Sequence, residues 1–186
     1  ELIIDIIKEL YAKDDDFSLI DLGTGSGCII STLLLEFPNA SGIGSDISEN
    51  ALNIAQLNAK KYTINHRVSF VLSDWLDAIK FNKFDIIIAN PPYILSKDLE
   101  RLPLEVSYND PLIALDGGID GLTHYKKIVS NLQNKNNDEA KFLIMEINED
   151  MAKELFQLLT CVGFERKNIS LYNDLSSRKR VISCRF

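Results

Sequence analysis

The sequence has few histidines and no closely spaced pair of cysteines. The two histidines, His66 and His124, are too few for a histidine-rich metal site, and they argue against a histidine-dependent hydrolase. The three cysteines, Cys28, Cys161 and Cys184, lie far apart, and no two of them form a C-x-x-C pair. We therefore expect no metal site and no disulfide framework, and this cysteine usage fits a reducing, cytoplasmic environment best.

A basic surplus and a long apolar run are also missing. The 27 acidic residues outnumber the 20 basic ones, which gives a formal net charge of -7. A chain this acidic is a poor non-specific binder of nucleic acid or of an anionic membrane. No apolar run approaches the roughly 20 residues that a membrane span needs. The remaining composition, with 46% hydrophobic residues over 186 positions, predicts a single globular domain with a sizeable core.

Apolar, β-branched runs alternate with helical patterns along the chain. The runs predict strands at 19–22, 42–46, 68–72, 84–89 and 142–147, and the helical patterns fall at 2–12, 28–37, 49–62, 122–132 and 151–161. Two further runs, 168–172 and 180–185, predict a closing hairpin. Residues 90–118 contain four prolines and little periodicity, which predicts a long loop. This order predicts an open, doubly wound, mostly parallel α/β sheet with an antiparallel hairpin at its C-terminus.

The third predicted helix carries a start signal and an apolar stripe. Ser48 is of the type that caps a helix N-terminus, and it stands immediately before the helical pattern. We expect the apolar residues Leu52, Ala55, Leu57 and Ala59 to form its inner side.

The first predicted strand ends in a glycine-rich turn, Asp-Leu-Gly-Thr-Gly-Ser-Gly at residues 21–27. Its alternating glycines let the chain turn sharply and let a ligand approach the backbone, and the helix that follows offers free N–H groups at its N-terminus. Cys28 occupies the position where a dinucleotide fingerprint needs Gly or Ala, and the lysine of a P-loop is absent. The turn instead resembles motif I of class I S-adenosylmethionine-dependent methyltransferases. A glycine turn that binds no ligand is the alternative.

Acidic residues follow the next two predicted strands. Asp46 ends the second strand, where a carboxylate can accept both hydroxyls of a ribose; a helix-capping role is the alternative. Asp74 follows the third strand and can accept the exocyclic amine of adenine, while Trp75 can either cover one face of the ring or pack in the core. Asp21 is expected beneath the glycine turn, where it orients the turn or the ligand's amino group, although a purely structural role fits it nearly as well.

The fourth predicted strand ends in Asn90, Pro91, Pro92 and Tyr93. The prolines have no backbone N–H and a fixed φ, and they push the residues before them into extended conformations. The segment therefore presents two hydrogen-bond acceptors, the Asn90 side-chain oxygen and the Pro91 carbonyl, which suit a planar –NH2 group with two protons. Tyr93 can pack over such a group. Adenine, cytosine, guanine and the amide of glutamine all fit, and a rigid proline turn without a ligand is the alternative.

Taken together, four motifs closely resemble the HemK/PrmC family of protein-(glutamine-N5) methyltransferases: residues 21–27, Asp46, residues 73–75 and residues 90–94. The segments 115–122 and 174–180 and the strand end at Glu146 also resemble that family, so that the likeness covers essentially the whole chain. The resemblance implies a class I methyltransferase fold of the Rossmann-like type, with S-adenosyl-L-methionine as the cofactor. It further implies methylation of the glutamine in the Gly-Gly-Gln motif of peptide-chain release factors, in support of translation termination.

The resemblance also implies the site residues. Cofactor binding is implied for Asp21, Gly23, Thr24, Gly25, Ser26, Gly27, Asp46, Asp74, Trp75 and Asn90. The substrate glutamine is implied to lie against the catalytic residues Asn90, Pro91, Pro92 and Tyr93. The partner would be a protein, the release factor, and neither a metal nor a membrane is implied.

One feature of the HemK/PrmC family has no counterpart in residues 1–186. The family normally carries an N-terminal helical domain that helps to dock the release factor. Because the sequence begins at Glu1 rather than at Met, we expect residues 1–186 to be the catalytic domain of a longer protein whose docking domain lies upstream.

Two other functions are open at this point. A nucleic-acid methyltransferase acting on N6 of adenine or N2 of guanine would use the same –NH2 geometry, but the net charge of -7 and the lack of a basic stripe oppose it. A degenerate fold kept as a binding module is opposed by the presence of every expected site residue.

Overall fold

The fold is described from a computed structural model that covers residues 1–79, 84–103, 105, 111–134 and 140–186. Its helices are α1 (Leu2–Leu10), α2 (Cys28–Glu36), α3 (Glu49–Lys61), α4 (Thr123–Asn134) and α5 (Ala152–Cys161). Its strands are β1 (Ser18–Leu22), β2 (Ser41–Asp46), β3 (Val68–Leu72), β4 (Ile86–Ala89), β5 (Ile94–Leu95), β6 (Asp116–Gly118), β7 (Phe142–Glu146), β8 (Ile169–Asn173) and β9 (Lys179–Arg185). Every strand and helix that the periodicity predicts is therefore present.

Seven of the strands form one sheet in the order β3-β2-β1-β4-β7-β9-β8. The strands from β3 to β7 are parallel, and β9 runs antiparallel to both β7 and β8. The chain starts at β1, winds outward to β3 and then crosses back to β4, so that the direction of winding reverses beside β1. This arrangement confirms the predicted open, mostly parallel sheet with an antiparallel C-terminal hairpin.

The strand β4 lies in the middle of the sheet, and all of its residues are buried. Alternate side chains face opposite layers. Ile86 and Ile88 pack with residues of α1, α2 and α3, whereas Ile87 and Ala89 pack with residues of α4 and α5. Burial of each isoleucine contributes about 1.5–3 kcal/mol relative to an exposed side chain. Because helices cover both faces, the strand is a nearly unbroken apolar run in the sequence.

The helix α3 begins as predicted but buries a narrower stripe than expected. The Ala51 N–H donates to the Ser48 hydroxyl oxygen at 3.3 Å, which confirms the cap. Leu52, Ala55 and Ala59 are buried, but 65% of Leu57 is exposed, so its predicted inward position is wrong. The buried positions are spaced by three and four residues, whereas Leu57 lies two residues from Ala55 and points away from that stripe.

The segment predicted as a long loop, residues 90–118, contains regular structure. β5 begins one residue after the proline pair and pairs in parallel with β6, and short 3-10 turns occur at Ser96–Arg101 and Leu112–Ala114. The loop prediction is therefore wrong for these residues, because strands of two and three residues are too short to produce a periodic pattern. Residues 104 and 106–110 of that prediction lie outside the described residues.

No helix in the described part of the chain is long and apolar enough to cross a membrane. The three cysteines are free thiols, with Cys184 buried and the other two exposed. Within the same described ranges, no group of three or more His, Cys, Asp or Glu side chains is placed to hold a metal ion. The polar groups that the sequence singles out lie instead at the carboxyl ends of the parallel strands.

Candidate active site

The register of the sheet brings the predicted site residues to one edge. Leu22 pairs with both Ser45 and Ala89, and Ala89 pairs with Met145. The residues that follow these positions are therefore neighbours where the parallel strands end. In strand order from β2 to β7, they are Asp46, Gly23, Asn90 and Glu146. On the neighbouring strand β3, Ser73 follows Leu72, which pairs with Asp46. This edge is where open α/β sheets bind their ligands, beside the point at which the strand order reverses.

The glycine turn between β1 and α2 is held by Asp46. Gly23, Gly25 and Gly27 all have positive φ, at 68°, 57° and 76°, a conformation that L side chains rarely adopt. The Gly25 N–H donates to Asp46 Oδ2 at 2.8 Å, and the Ser48 N–H donates to Asp46 Oδ1 at 2.8 Å. Each carboxylate oxygen can accept a second hydrogen bond. Asp46 thus fixes the turn and still has acceptor capacity for a ligand.

Asp21 lies beneath the same turn, as the sequence predicts. It is 1% exposed, and the Thr24 hydroxyl donates to its Oδ2 at 2.6 Å. Its other oxygen, Oδ1, has no hydrogen-bond partner in the described part of the chain. Burial raises the pKa of Asp21 to about 7, and the hydrogen bond from Thr24 opposes this rise only in part. The Asp21 carboxyl is therefore partly protonated near neutral pH.

One side of the glycine turn is packed and the other is open. A Cβ added to Gly27 would lie 3.1 Å from the Ala55 side chain, and the Asn58 amide donates to the exposed Ser26 carbonyl at 2.9 Å. These contacts fix the turn against α3. At Gly25, by contrast, an added Cβ would meet no described atom within 4 Å. The turn therefore has free space at Gly25.

Asp74 and Trp75 lie at the end of β3, beside the glycine turn. Asp74 Oδ2 forms an ion pair with the Lys127 ammonium group of α4. Trp75 has a φ of 54°, its ring lies 3.2 Å from an added Cβ at Gly23, and its centroid is 5.4 Å from that of the His124 ring. The indole thus borders the turn and also packs against the core. Contact with adenine stays a prediction for both residues.

The segment from Asn90 to Tyr93 leaves β4 at the same edge. Asn90 is exposed, and within the described ranges its side chain makes no hydrogen bond. Pro91 is buried behind it, and Pro92 and Tyr93 are half-buried. Burial raises the pKa of the Tyr93 hydroxyl; the nearby Glu146 carboxylate raises it further, and Arg180 lowers it. A buried proline thus supports a free amide group beside the glycine turn.

Glycines that the sequence analysis did not assign to the site pack against Tyr93. A Cβ added to Gly117 would lie 2.7 Å from both Cα and the carbonyl carbon of Tyr93. A Cβ added to Gly121 would lie 2.9 Å from the Tyr93 carbonyl oxygen. Both distances are shorter than real Cβ contacts allow, so only glycine fits at these positions. The glycines of residues 117–121 were the available signal, because Gly often marks close backbone approach.

Glu146 is the second feature to which the sequence analysis gave no role. It ends β7 beside Asn90, and it is half-buried. Burial raises the pKa of its carboxyl, and the Arg180 guanidinium opposes this rise. Arg180 is itself held by Asp174, whose Oδ2 accepts from its Nε at 3.0 Å. The position of Glu146 at the carboxyl end of a predicted parallel strand was a sufficient signal for a site residue.

The chain belongs to the family of methyltransferase domains, since the sequence model of the methyltransferase domain matches residues 13–172. The fold agrees with this class. The hMettl16 catalytic domain superposes with a TM-score of 0.76 at 15% identity, covering 100% of this chain and 68% of that one. The ribosomal protein L11 methylase of Lactobacillus delbrueckii superposes with a TM-score of 0.64 at 18% identity, covering 98% of this chain and 77% of that one. The fold is that of class I S-adenosylmethionine-dependent methyltransferases.

Other proteins have a higher sequence identity to this chain than these two solved structures do. The chain is 33% identical to the release factor glutamine methyltransferase of Caulobacter vibrioides over 182 residues, which is 98% of this chain and 62% of that protein. It is 38% identical to the enzyme of the same name from Rhodospirillum rubrum, covering 90% of this chain and 50% of that one. A bifunctional methyltransferase of Rickettsia felis is 35% identical over 92% of this chain and 32% of its own length. The chain thus spans less than two thirds of these relatives.

Proposed function

We propose that this domain transfers the methyl group of S-adenosylmethionine to the side-chain amide nitrogen of the glutamine in the Gly-Gly-Gln motif of peptide-chain release factors. The observation that carries the proposal is the free Asn90 amide at the end of β4, beside the glycine turn. The similarity to proteins named release factor glutamine methyltransferase supports the choice of substrate. We further propose that residues 1–186 act in the cytoplasm as the catalytic domain of a longer protein, with a docking domain upstream.

The residues around the glycine turn fit the cofactor. Asp46 would accept the ribose hydroxyls on the lone pairs that Gly25 and Ser48 leave free. The open space at Gly25 admits a ligand against the backbone, and Trp75 offers an aromatic face beside Gly23. The wider set of proposed cofactor contacts also includes Asp21, Thr24, Ser26, Gly27, Asp74 and Asn90. When bound, S-adenosylmethionine supplies an electrophilic methyl group on a sulfonium.

The segment at 90–93 would orient the substrate amide. The Asn90 side-chain oxygen and the Pro91 carbonyl accept its two N–H groups, and neither proline has an N–H that would compete. Tyr93 forms the wall against the planar group. An amide nitrogen is a weak nucleophile because its lone pair is delocalised, so the main contribution of the site is to hold the nitrogen in line with the methyl group. After methylation the nitrogen is strongly acidic and gives its extra proton to water, so no base of high pKa is needed.

The test uses the full-length protein, radiolabelled S-adenosylmethionine and purified release factors. We expect label on the peptide that contains Gly-Gly-Gln, and no label on a release-factor variant in which alanine replaces that glutamine. Label on RNA or DNA, with none on the release factor, would contradict the proposal and support the nucleic-acid alternative. Calorimetry without detectable S-adenosylmethionine binding would support a binding module instead.

The charge beside Tyr93 favours the protein substrate over nucleic acid. Asp98, Asp120, Asp150 and Glu154 line a cavity that begins at Tyr93, and no basic residue is among its described lining residues. Enzymes that act on nucleic acid need cations there to neutralise phosphates. The –NH2 group that approaches Asn90 is therefore expected to come from a polypeptide.

A further inference from the structure

The cavity beside Tyr93 has no role in the proposed methyl transfer. Its volume is about 480 Å³, within the range of roughly 300–1,000 Å³ that is typical of ligand pockets. Apolar side chains form much of its lining, among them Ile94, Leu95, Leu122 and Met151. We call this cavity the β5 groove, because β5 continues directly from Tyr93 along it. A polypeptide whose glutamine reaches Asn90 must leave the active site across neighbouring surface, and the β5 groove is contiguous with that site.

The rim of the β5 groove is acidic and only partly neutralised. Asp120 pairs with the Lys126 ammonium group, and Asp98 Oδ1 lies 3.5 Å from an Arg101 nitrogen whose side chain is 82% exposed. The remaining rim carboxylates belong to Asp150 and Glu154. Within the described ranges, neither carboxylate takes part in an ion pair or a hydrogen bond. Two negative charges at the start of α5 are therefore available to a partner.

The apolar lining and the acidic rim of the β5 groove together indicate what kind of ligand it can bind. Lys and Arg side chains have an apolar stem and a cationic head, so they can cover apolar surface while the head reaches a carboxylate. In the described part of the chain, no cluster of acidic side chains is arranged to hold a metal ion. An anionic ligand would be repelled by the rim. A cationic polypeptide segment therefore fits both parts of the lining.

We propose that the β5 groove binds a Lys- or Arg-containing segment of the release factor that adjoins the target glutamine. This inference rests on the proposed function and adds the charge of the substrate segment to it. The contact takes place outside the methyl-transfer site, so it raises the affinity for the substrate and leaves the chemical step unchanged. Exposed charge pairs are individually weak and screened by salt, so the contribution of the groove is expected to decrease as the ionic strength rises.

The experiment neutralises the unpaired rim charges in the full-length protein with the double variant Asp150→Asn and Glu154→Gln. The control double variant, Asp5→Asn and Glu9→Gln, removes two exposed carboxylates with the same spacing of four residues on α1, which packs on the opposite face of the sheet. We expect the groove variant to raise the KM for the release factor about fivefold, with unchanged kcat and unchanged S-adenosylmethionine affinity. Its kcat/KM should also depend less steeply on salt than that of the control.

A binding measurement separates this inference from the proposed function. Fluorescence anisotropy compares the wild-type protein and both variants for a labelled Gly-Gly-Gln peptide with flanking Lys and Arg, and for the same peptide with Gln at those flanking positions. Weaker binding of the cationic peptide by the groove variant alone supports the inference. Equal binding by the wild type and the groove variant overturns it, as does an equal loss in the control. Absence of methylation by the wild-type protein would overturn the proposed function, whatever the binding result.

Discussion

Asn90 and Pro91 have opposite environments although they are adjacent in the chain. The proline is buried, and the asparagine is exposed with a side chain that makes no hydrogen bond in the described part of the structure. An amide group without a protein partner lowers the stability of the fold only slightly when it lies on the surface, because water forms hydrogen bonds with it. Under the proposed function, the rigid backbone behind the amide would fix the position of its acceptor oxygen before a substrate binds.

The substitution Asn90→Ala tests this role. Removal of one of two acceptors for the substrate amide should lower kcat about tenfold or more, because the lost hydrogen bond is directed at the reacting group. The affinity for S-adenosylmethionine should be largely kept, since the glycine turn and Asp46 do not depend on this side chain. Steady-state kinetics and calorimetry on the full-length protein measure the two quantities.

The control for this substitution is Asn53→Ala on the exposed side of α3, which should leave both quantities unchanged. A wild-type kcat in the Asn90 variant would show that the amide does not hold the substrate. A loss of cofactor affinity as large as the loss of kcat would mean that Asn90 contacts the cofactor alone and does not hold the substrate amide.

At the scale of single residues, the sequence indicates where a side chain lies when residue type and strand position agree. Asp46 was predicted from its place at a strand end, and the structure adds that it also holds Gly25. Trp75 could not be placed fully, because a positive φ in a residue other than glycine leaves no sequence signal. Glu146 lies at the carboxyl end of a parallel strand, as Asp46 does, so its position carries the same signal for a site residue.

Among the structural elements, the small sheet of β5 and β6 controls the position of the Asn90–Tyr93 segment. β6 lies against Tyr93 so closely that its Gly117 has no room for a Cβ. The segment is therefore held between the main sheet, from which it emerges, and the small sheet that packs on it. We therefore expect residues 116–121 to position the segment and so to influence methyl transfer.

The substitution Gly117→Ala tests this positioning role. The new Cβ would force the Tyr93 backbone to move by several tenths of an ångström, because it would otherwise lie 2.7 Å away. Overpacking of this kind costs about 1–3 kcal/mol of stability, and displacement of the acceptors should lower kcat about tenfold or more. Urea unfolding and steady-state kinetics measure the two effects.

Gly163→Ala is the control for general destabilisation. Gly163 has a φ of 111° and no described atom within 4 Å of an added Cβ, so alanine there introduces backbone strain without a clash. We expect lower stability of about 1 kcal/mol and a wild-type kcat for this variant. If both glycine variants lose stability and neither loses kcat, the small sheet does not position the segment.

Long elements of the fold could be predicted, and short ones could not. The strand β4 is a continuous apolar run because helices cover both of its faces, and this pattern survives in the sequence. β5 and β6 have only two and three residues. Their pairing depends on glycines that permit close approach, and a hydrophobic periodicity in the sequence cannot reveal such a pairing. Leu57 was placed wrongly because apolar character alone does not distinguish a buried helix face from an exposed one.

For the molecule as a whole, folding places an ionisable group where water cannot reach it. Asp21 lies under the glycine turn at the centre of the parallel strands, with one of its oxygens unpaired. Its pKa is raised to about 7 by burial, whereas an unfolded chain holds an aspartate near 3.9. The folded state thus binds this proton more tightly than the unfolded state, and the free energy of unfolding must depend on pH through Asp21.

The sign of this dependence follows from the raised pKa. Well below pH 4, Asp21 is protonated in both states and does not affect the free energy of unfolding. As the pH rises from about 4 towards 7, ionisation stabilises the unfolded state and not the folded state. Between pH 5 and pH 8, Asp21 should therefore lower the free energy of unfolding by about 2 to 3 kcal/mol. Urea unfolding at both pH values, in the wild type and in Asp21→Asn, measures the difference, which should be smaller in the variant by that amount.

The comparison uses the change with pH rather than the stability at one pH, because asparagine brings an amide group that can itself destabilise a buried site. Asp16→Asn provides a control at an exposed aspartate, and it should keep the pH dependence of the wild type. An Asp21→Asn variant with the wild-type pH dependence would mean that Asp21 is ionised in the folded state and balanced by a partner. The expected result would instead show that the glycine turn is built over a carboxyl group that is partly neutral at physiological pH.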